Sequence, residues 1–366
     1  MIGKIKVLVV DDSAFMRVLI SDMISEDDGI EVIGIARNGK EGVLKANSLM
    51  PDVITMDVEM PKMNGIEALR LILSERKVPI IMLSALTKKG ADTTLEALNI
   101  GAFDFITKPS GTISLDIESV KSILISKIKD AYANRKNIAL FSNKQSSSIK
   151  NLTVKSNNHL DFTYGDKKVH RIRTPTESKL SKKVVIIGAS TGGPKALHEI
   201  FSELPQDLDA CVLAVQHMPP FFTQSLSERL DKASQLIVKE GSNQEQIVNG
   251  SAFVAPGDFH MIIRYKKLLL NKGPHLHAIR PAIDITMESV ALNYGSSVIG
   301  VILTGMGKDG AMGISAIKKA GGTTIACDEQ TSVIFGMPKE AINTGYVDYV
   351  LPLHRIARKI IKQVDA

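Results

Sequence analysis

Two sets of polar residues in this chain fall where chemistry could use them. The first is Asp11, Asp12, Asp57, Ser84 and Lys108, each at or just beyond the end of an apolar run in the first third of the sequence. Three carboxylates brought together repel one another. A hard divalent cation such as Mg²⁺ relieves that repulsion through oxygen ligands while keeping several waters. The cation would also neutralise the oxygens of a phosphoryl group on Asp57, with Lys108 adding a point charge and Ser84 a hydroxyl donor. Ser13, by contrast, reads as a simple helix cap. The second set begins at Ser190, in "VVIIGASTGGPKAL", where a strand runs into a Gly-rich turn and then a helix. That stretch has three readings. It is a G-x-S-x-G nucleophile elbow beside a helix N-terminus that favours negative charge. It is a turn that holds a dinucleotide pyrophosphate. Or it is a tight turn whose serine caps the helix.

Neighbours elsewhere in the chain weigh these readings. A serine nucleophile needs a base, and the base needs an acceptor to orient it. Among eight histidines, His217 follows "ACVLAVQ" directly and should reach the same sheet edge as Ser190. Asp309, in "GMGKDG", follows "SVIGVILT" and reaches that edge too. His198 falls on a helix surface, His260 opens a strand, and His354 lies near the end of the chain. His275 and His277 sit in a Gly/Pro loop that could line a cleft, and His159 and His170 fall in a polar segment. A dinucleotide turn wants a later Tyr-xxx-Lys pair. Tyr132/Lys136 and Tyr164/Lys168 have the spacing but lie upstream, and Pro194 stands where glycine is usual. The order Ser, His, Asp also differs from that of the α/β-hydrolases, the trypsin-like enzymes and the subtilisin-like enzymes.

The elements that must position these residues follow from periodicity. Residues 1–133 hold strand candidates at 6–10, 30–36, 52–57, 79–85 and 102–107, separated by helical patterns. Five such units predict a doubly wound parallel sheet with helices on both faces. Residues 134–181 are rich in Ser, Asn and Lys without amphipathic period, and read as a flexible basic linker. From 182 to 366 a second alternation begins, with strands at 183–189, 210–216, 235–240, 251–255, 260–265, 267–271, 297–304 and 323–328. Helices fit at 193–203, 221–232, 283–294, 310–320 and 338–344. This predicts a second α/β domain, mostly parallel, with an antiparallel edge and strand hairpins across 251–271. The fold class expected is therefore α/β, two doubly wound domains joined by a linker.

Composition narrows the function classes. The chain has 366 residues and is 44% apolar, which suits two packed cores. Trp is absent and aromatics are 5%, which argues against stacking platforms for single-stranded nucleic acid. The net charge of +6 is local: 135–183 carries a surplus of nine, leaving the rest of the chain about three units negative. The basic charge thus belongs to a solvated segment and not to a folded groove-reading face. Cys211 and Cys327 sit in apolar runs as small buried hydrophobes, and no Cys/His cluster suggests zinc. No apolar run reaches the roughly 18 residues of a spanning helix and no signal peptide is recognised, so a cytoplasmic location is expected.

The motifs "VVDDS", "ITMDVEMPKMNG", "MLSA" and "FITKP" resemble the receiver domain of bacterial two-component response regulators over about 130 residues. The resemblance implies that Asp57 accepts a phosphoryl group from a chemotaxis histidine kinase. It places Asp11, Asp12, Asp57 and the Glu59 backbone carbonyl around Mg²⁺, and makes Ser84 and Phe105 the switch residues beside Lys108. Beyond the linker, "GASTGGP", "QHMPP", "FVAPGDFH", "RPAID" and "LTGMGKDGA" resemble the chemotaxis protein-glutamate methylesterase/protein-glutamine glutaminase family across 182–350. This implies Ser190 as nucleophile, His217 as base and Asp309 as its orienting acid. Met306 would supply an oxyanion N–H, and Thr191 and Arg280 would orient substrate or the groups around it. The implied substrates are methyl-accepting chemotaxis receptors, with no cofactor for the esterase reaction, no nucleic acid and no membrane insertion. In the resting state the receiver is expected to pack over the Ser190 cleft with the linker as hinge. The competing reading is a response regulator with a non-catalytic or nucleotide-binding α/β output domain. A DNA-binding output would need a basic helix-turn-helix, which the pattern lacks.

Overall fold

The computed structural model describes residues 3–109, 116–135 and 179–366. Most of the expected linker, with His159 and His170, lies outside the described residues.

The first unit runs β1 (Ile5–Val10), α1 (Ala14–Ser25), β2 (Ile30–Ala36), α2 (Gly39–Leu49), β3 (Val53–Asp57), α3 (Gly65–Glu75), β4 (Ile80–Ser84), α4 (Lys88–Ile100), β5 (Asp104–Thr107) and α5 (Asp116–Ala133). The strands pair in parallel in the order β2-β1-β3-β4-β5. β3 and β4 are buried along their whole length, as strands covered by helices on both faces must be. Ser13, Asn38, Asn64 and Thr87 each accept a first-turn N–H and set where the first four helices start. The strand order reverses between β1 and β3, so the crevice beyond their carboxyl ends is where a ligand site belongs.

The second unit runs β6 (Val184–Ala189), α6 (Gly193–Glu203), β7 (Cys211–Gln216), α7 (Phe222–Ala233), β8 (Ile237–Glu240), β9 (Ser251–Val254), β10 (His260–Arg264), β11 (Lys267–Asn271) and α8 (Ile283–Tyr294). After a 3₁₀ turn come β12 (Val298–Ile302), α9 (Ala311–Lys319), β13 (Thr323–Cys327), α10 (Met337–Asn343), β14 (Tyr349–Leu351) and α11 (Leu353–Asp365). Seven strands form one sheet in the order β14-β13-β12-β6-β7-β9-β8, and every pairing in it is parallel. Side chains alternate across it. Val185 and Ile187 pack with α6, α7 and α11, while Val184 and Ile186 pack with α8, α9 and α10.

Two expectations need correction. Among the described residues the sheet has no antiparallel edge strand, because β10 and β11 form a separate two-stranded hairpin. Within 251–271 only that pair is a hairpin, since β9 joins the parallel sheet between β7 and β8. β9 is buried at every position, and a fully buried strand reads as apolar whichever way its neighbours run. The final strand and helix, β14 and α11, were not anticipated. β14 is three residues long and largely exposed, so it carries little apolar signal.

Candidate functional site

In the first unit, Asp11 and Asp12 follow β1 and Asp57 ends β3, on the two sides of the crevice. Oxygens of the three carboxylates lie within 4.8 Å of one another. Asp11 and Asp57 are buried and Asp12 is exposed. Lys108, just past β5, places its ammonium 2.8 Å from Asp11 Oδ2 and 2.7 Å from Asp57 Oδ2. Burial pushes the Asp57 carboxyl up to about 6, against the pull of Lys108. At Lys108 the balance is reversed: burial opposes its charge, but Asp11 and Asp57 outweigh it and raise its pKa. Asp11 Oδ2 lies within ion-pair range of Lys108 yet makes no hydrogen bond of good geometry. Oxygen-only donors, an under-satisfied buried oxygen and one solvent-facing carboxylate fit a hard cation that keeps waters.

The other residues of this set are placed less directly. The Glu59 N–H donates to Asp57 Oδ1 at 3.3 Å, and its side chain pairs with Lys89 at 2.8 Å. Ser84 is buried, and its hydroxyl donates to the Gly90 carbonyl at 3.2 Å, toward α4 and not toward Asp57. Phe105, in β5, also reaches the second unit. Its ring stacks on Phe222 of α7, centroid to centroid 4.5 Å and 6° from parallel.

In the second unit the strand order reverses between β6 and β12, so the loops after these two strands flank the switch-point crevice. Ser190 follows β6 and Asp309 follows β12. His217 follows β7, whose last residue Gln216 is in register with Ala189. The His217 N–H donates to the Ala189 carbonyl at 3.2 Å, which holds the base one strand from the serine. His217 Nε2 lies 2.8 Å from Asp309 Oδ2. This leaves Nδ1 as the ring atom available for proton transfer. Burial opposes the Asp309 charge, but His217 and two backbone N–H groups outweigh it and hold its pKa below the usual carboxylate range. Ser190 Oγ makes no hydrogen bond to His217 among the described residues, as is common for a catalytic pair without substrate.

The turn around Ser190 is shaped for close approach. The helix cap is Gly192, not Ser190, so the serine hydroxyl is not spent on capping. Gly192 has φ of 78°, and an added Cβ would lie 2.6 Å from Val333. A Cβ on Gly305 would lie 2.7 Å from Ser190 Cβ, so the 305–306 backbone runs directly against the serine. Among the described residues neither the Thr191 nor the Met306 N–H donates a hydrogen bond. These are two donors without a hydrogen-bond partner, one next to Ser190 in the chain and one in the 305–306 backbone packed against it.

The structure also places groups of the first unit on this edge. The Thr191 hydroxyl donates to Asp104 of β5 at 2.5 Å, and Asp104 also pairs with Lys127. Ser126 of α5 contacts Met306 Sδ at 3.3 Å. Arg229 of α7 donates to the Asp92 carbonyl at 2.6 Å, and Lys88 pairs with Glu228 at 3.2 Å. The residues expected to orient substrate are therefore engaged elsewhere. Thr191 is held by Asp104, while Arg280 bonds Asp258 and the carbonyls of Lys272 and Gly273. His275 and His277 are exposed and hydrogen-bond to no site residue. Buried His260 accepts the Ala282 N–H and bonds the Pro274 carbonyl. Cys211 and Cys327 are buried free thiols.

Two residues at the site were not singled out from sequence. Gln216 Nε2 donates to the Ser190 carbonyl at 2.9 Å and braces the turn. Asp284 accepts the Gly310 and Gly313 N–H groups at 2.8 and 2.7 Å. A polar residue ending a wholly buried strand, and an acid in the first turn of an apolar helix, were the available signals.

Comparison with known proteins places both units in families. The CheB methylesterase family profile matches residues 185–360, and the response regulator receiver domain profile matches 7–117. The protein-glutamate methylesterase/protein-glutamine glutaminase of Pyrococcus horikoshii is 47% identical, covering 99% of this chain and 94% of that protein. The protein of the same name from Thermotoga maritima is 45% identical over 98% of each chain. The crystal structure of the Thermotoga maritima CheB methylesterase catalytic domain is 48% identical, covers 50% of this chain and 99% of that one, and has a TM-score of 0.49. Among the described residues no helix is long and apolar enough to cross a membrane.

Proposed function

The chain belongs to the CheB methylesterase family, with a response regulator receiver domain ahead of the esterase domain, and from that premise we propose how its residues divide the work. It is a protein-glutamate methylesterase/protein-glutamine glutaminase. Ser190 Oγ attacks the side-chain carbonyl of a glutamate methyl ester while His217 Nδ1 takes the hydroxyl proton. Asp309 keeps the Nε2 proton in place and stabilises the imidazolium. The Thr191 and Met306 N–H groups receive the oxyanion. His217 returns the proton to the departing methanol, and water then hydrolyses the acyl-enzyme. With a glutamine side chain the same steps release ammonia. The observation that carries this reading is the His217–Asp309 pair, its acid buried and its imidazole half-buried, set one strand from Ser190.

The receiver, spanning 1–133, controls access to the esterase, spanning 182–366. Asp57 is the phosphoryl acceptor, supplied by a chemotaxis histidine kinase. Asp11, Asp12, Asp57 and the Glu59 carbonyl would hold Mg²⁺, which supplies neutralising charge to the phosphoryl oxygens. Lys108 adds a fixed cation beside them. β5 links the two sites, since Lys108 lies just past it and its Asp104 and Phe105 reach Thr191 and Phe222. Phosphorylation reorganises β5 and α4 and loosens that contact, opening the Ser190 crevice to methylated receptor helices. Location in the cytoplasm follows from a substrate and phosphodonor of this kind.

The test is release of methanol from methylated receptors by wild type, Ser190→Ala and Asp57→Ala, with and without acetyl phosphate. The reading predicts no activity for Ser190→Ala and unstimulated basal activity for Asp57→Ala. Full activity of Ser190→Ala refutes the triad, and lack of stimulation of the wild type refutes the gate.

A further inference from the structure

Asp284, the second residue of α8, is buried and takes no part in the steps above. Its Oδ1 accepts the N–H groups of Gly310 and Gly313 at 2.8 and 2.7 Å, at the start of α9. Asp309, one residue before Gly310, does the converse. Its Oδ2 accepts the Ile283 N–H at 2.7 Å and its Oδ1 accepts the Asp284 N–H at 3.0 Å, at the start of α8. Each carboxylate thus caps the helix that carries or follows the other. First-turn N–H groups have no intrahelical partner, so this crossed arrangement satisfies donors of both helices at once. It also ties both oxygens of Asp309, one of which faces His217 Nε2 at 2.8 Å.

Two carboxylates this near each other in dry surroundings do not both carry a full charge. Asp309 keeps the charge, because His217 and the α8 N–H groups stabilise it. Asp284 takes the opposite share: burial, and then the field of Asp309, push it up to about 7. The other titratable groups near it are His217 beyond Asp309, His260, whose Nδ1 accepts the Ala282 N–H, and exposed Lys308 beside Asp309 in the chain.

We propose that Asp284 is a positioning residue of the esterase, fixing Asp309 against His217 by pinning the start of α9. The proposal rests on the assignment of Ser190, His217 and Asp309 as the triad. It differs from a purely structural role in one respect. A positioning role is read in kcat more than in KM, and Asn, which keeps an acceptor for the start of α9, restores it.

The experiment measures methanol release by the full chain with acetyl phosphate from about pH 5.5 to 9, for wild type, Asp284→Asn, Asp284→Ala and Ser190→Ala. Thermal unfolding of each variant reports folding. Asp284→Asn keeps an acceptor oxygen for α9 but not the charge. It should retain kcat within about 10-fold of wild type. Asp284→Ala should lose about 30- to 100-fold in kcat with KM within about twofold, the loss expected when a catalytic group is misplaced by about 1 Å. Wild-type kcat in both variants, or a loss in Asp284→Asn as large as that in Asp284→Ala, overturns the proposal while leaving the triad intact. So does an Asp284→Ala loss that only tracks its unfolded fraction. Full activity in Ser190→Ala would instead overturn the triad itself, and this proposal with it.

Discussion

Replacing Phe105 with Ala should raise the activity of the unphosphorylated enzyme. The ring is 7% exposed and lies flat on Phe222, which is fully buried, so the pair is a desolvated contact joining receiver and esterase. Burying a Phe side chain is worth about 1.5–3 kcal/mol, and a stacked pair adds about 0.5–1.5 kcal/mol. Part of the Phe105 surface packs within the receiver in either state, so about 2 kcal/mol is a reasonable share for the interface. At about 1.4 kcal/mol per factor of ten, that shift changes the closed-to-open ratio by about 30-fold. Basal kcat/KM for methanol release should therefore rise by up to about 30-fold, limited by the fully open activity. Acetyl phosphate should then add correspondingly less. The assay needs no phosphodonor and includes a chelator, so Asp57 stays unmodified. Thermal melts and far-UV circular dichroism establish that both units remain folded. A folded Phe105→Ala protein with basal activity equal to or below wild type refutes the reasoning that this contact holds the crevice shut.

Other expectations follow from single features of the structure. Gly305→Ala would put its Cβ 2.3 Å from Met337 Sδ and 2.7 Å from Ser190 Cβ, so kcat should fall about 100-fold or more, with KM affected less; unchanged kcat would separate the 305–306 loop from the chemistry. Asp309→Asn should lower kcat by about 10³- to 10⁴-fold, because the amide no longer fixes the required tautomer, and near-normal kcat would remove Asp309 from the triad. Asp258 is held below the usual carboxylate range by its hydrogen bond to Arg280. A depressed folded pKa contributes stability above the unfolded value of about 3.9, and that stability is lost as pH falls through the folded pKa. The melting temperature of Asp258→Asn should thus lie below wild type at pH 7, with the gap narrowing as pH falls below about 4, whereas a gap that does not narrow on acidification would contradict the assignment.

The proposed catalytic residues were legible because Ser190 and His217 directly follow β6 and β7 and Asp309 lies in the loop after β12, and strand ends follow from apolar runs that the sequence displays openly. Ser190, His217 and Asp309 needed only three parallel strands pointing the same way. Asp284 was not legible as a partner of Asp309, because the crossed caps depend on α8 and α9 starting side by side, which no local pattern encodes. β9 was misplaced for a related reason. A strand buried on both faces loses the alternation that would distinguish a hairpin arm from a sheet interior. Thr191 shows a third limit. Its position next to the nucleophile suggested contact with substrate, yet its hydroxyl is taken by Asp104, and that pairing is set by how two units pack.

On this mechanism Ser190 forms one glutamyl acyl-enzyme from either substrate. Hydroxylamine tests it by competing with water for that intermediate. Methyl-ester and glutamine forms of the same receptor site should give the same ratio of glutamyl hydroxamate to glutamate, because the leaving group has departed before partitioning, and Ser190→Ala should give neither product. Ratios that differ between the two substrates, or hydroxamate formed by Ser190→Ala, would contradict the account.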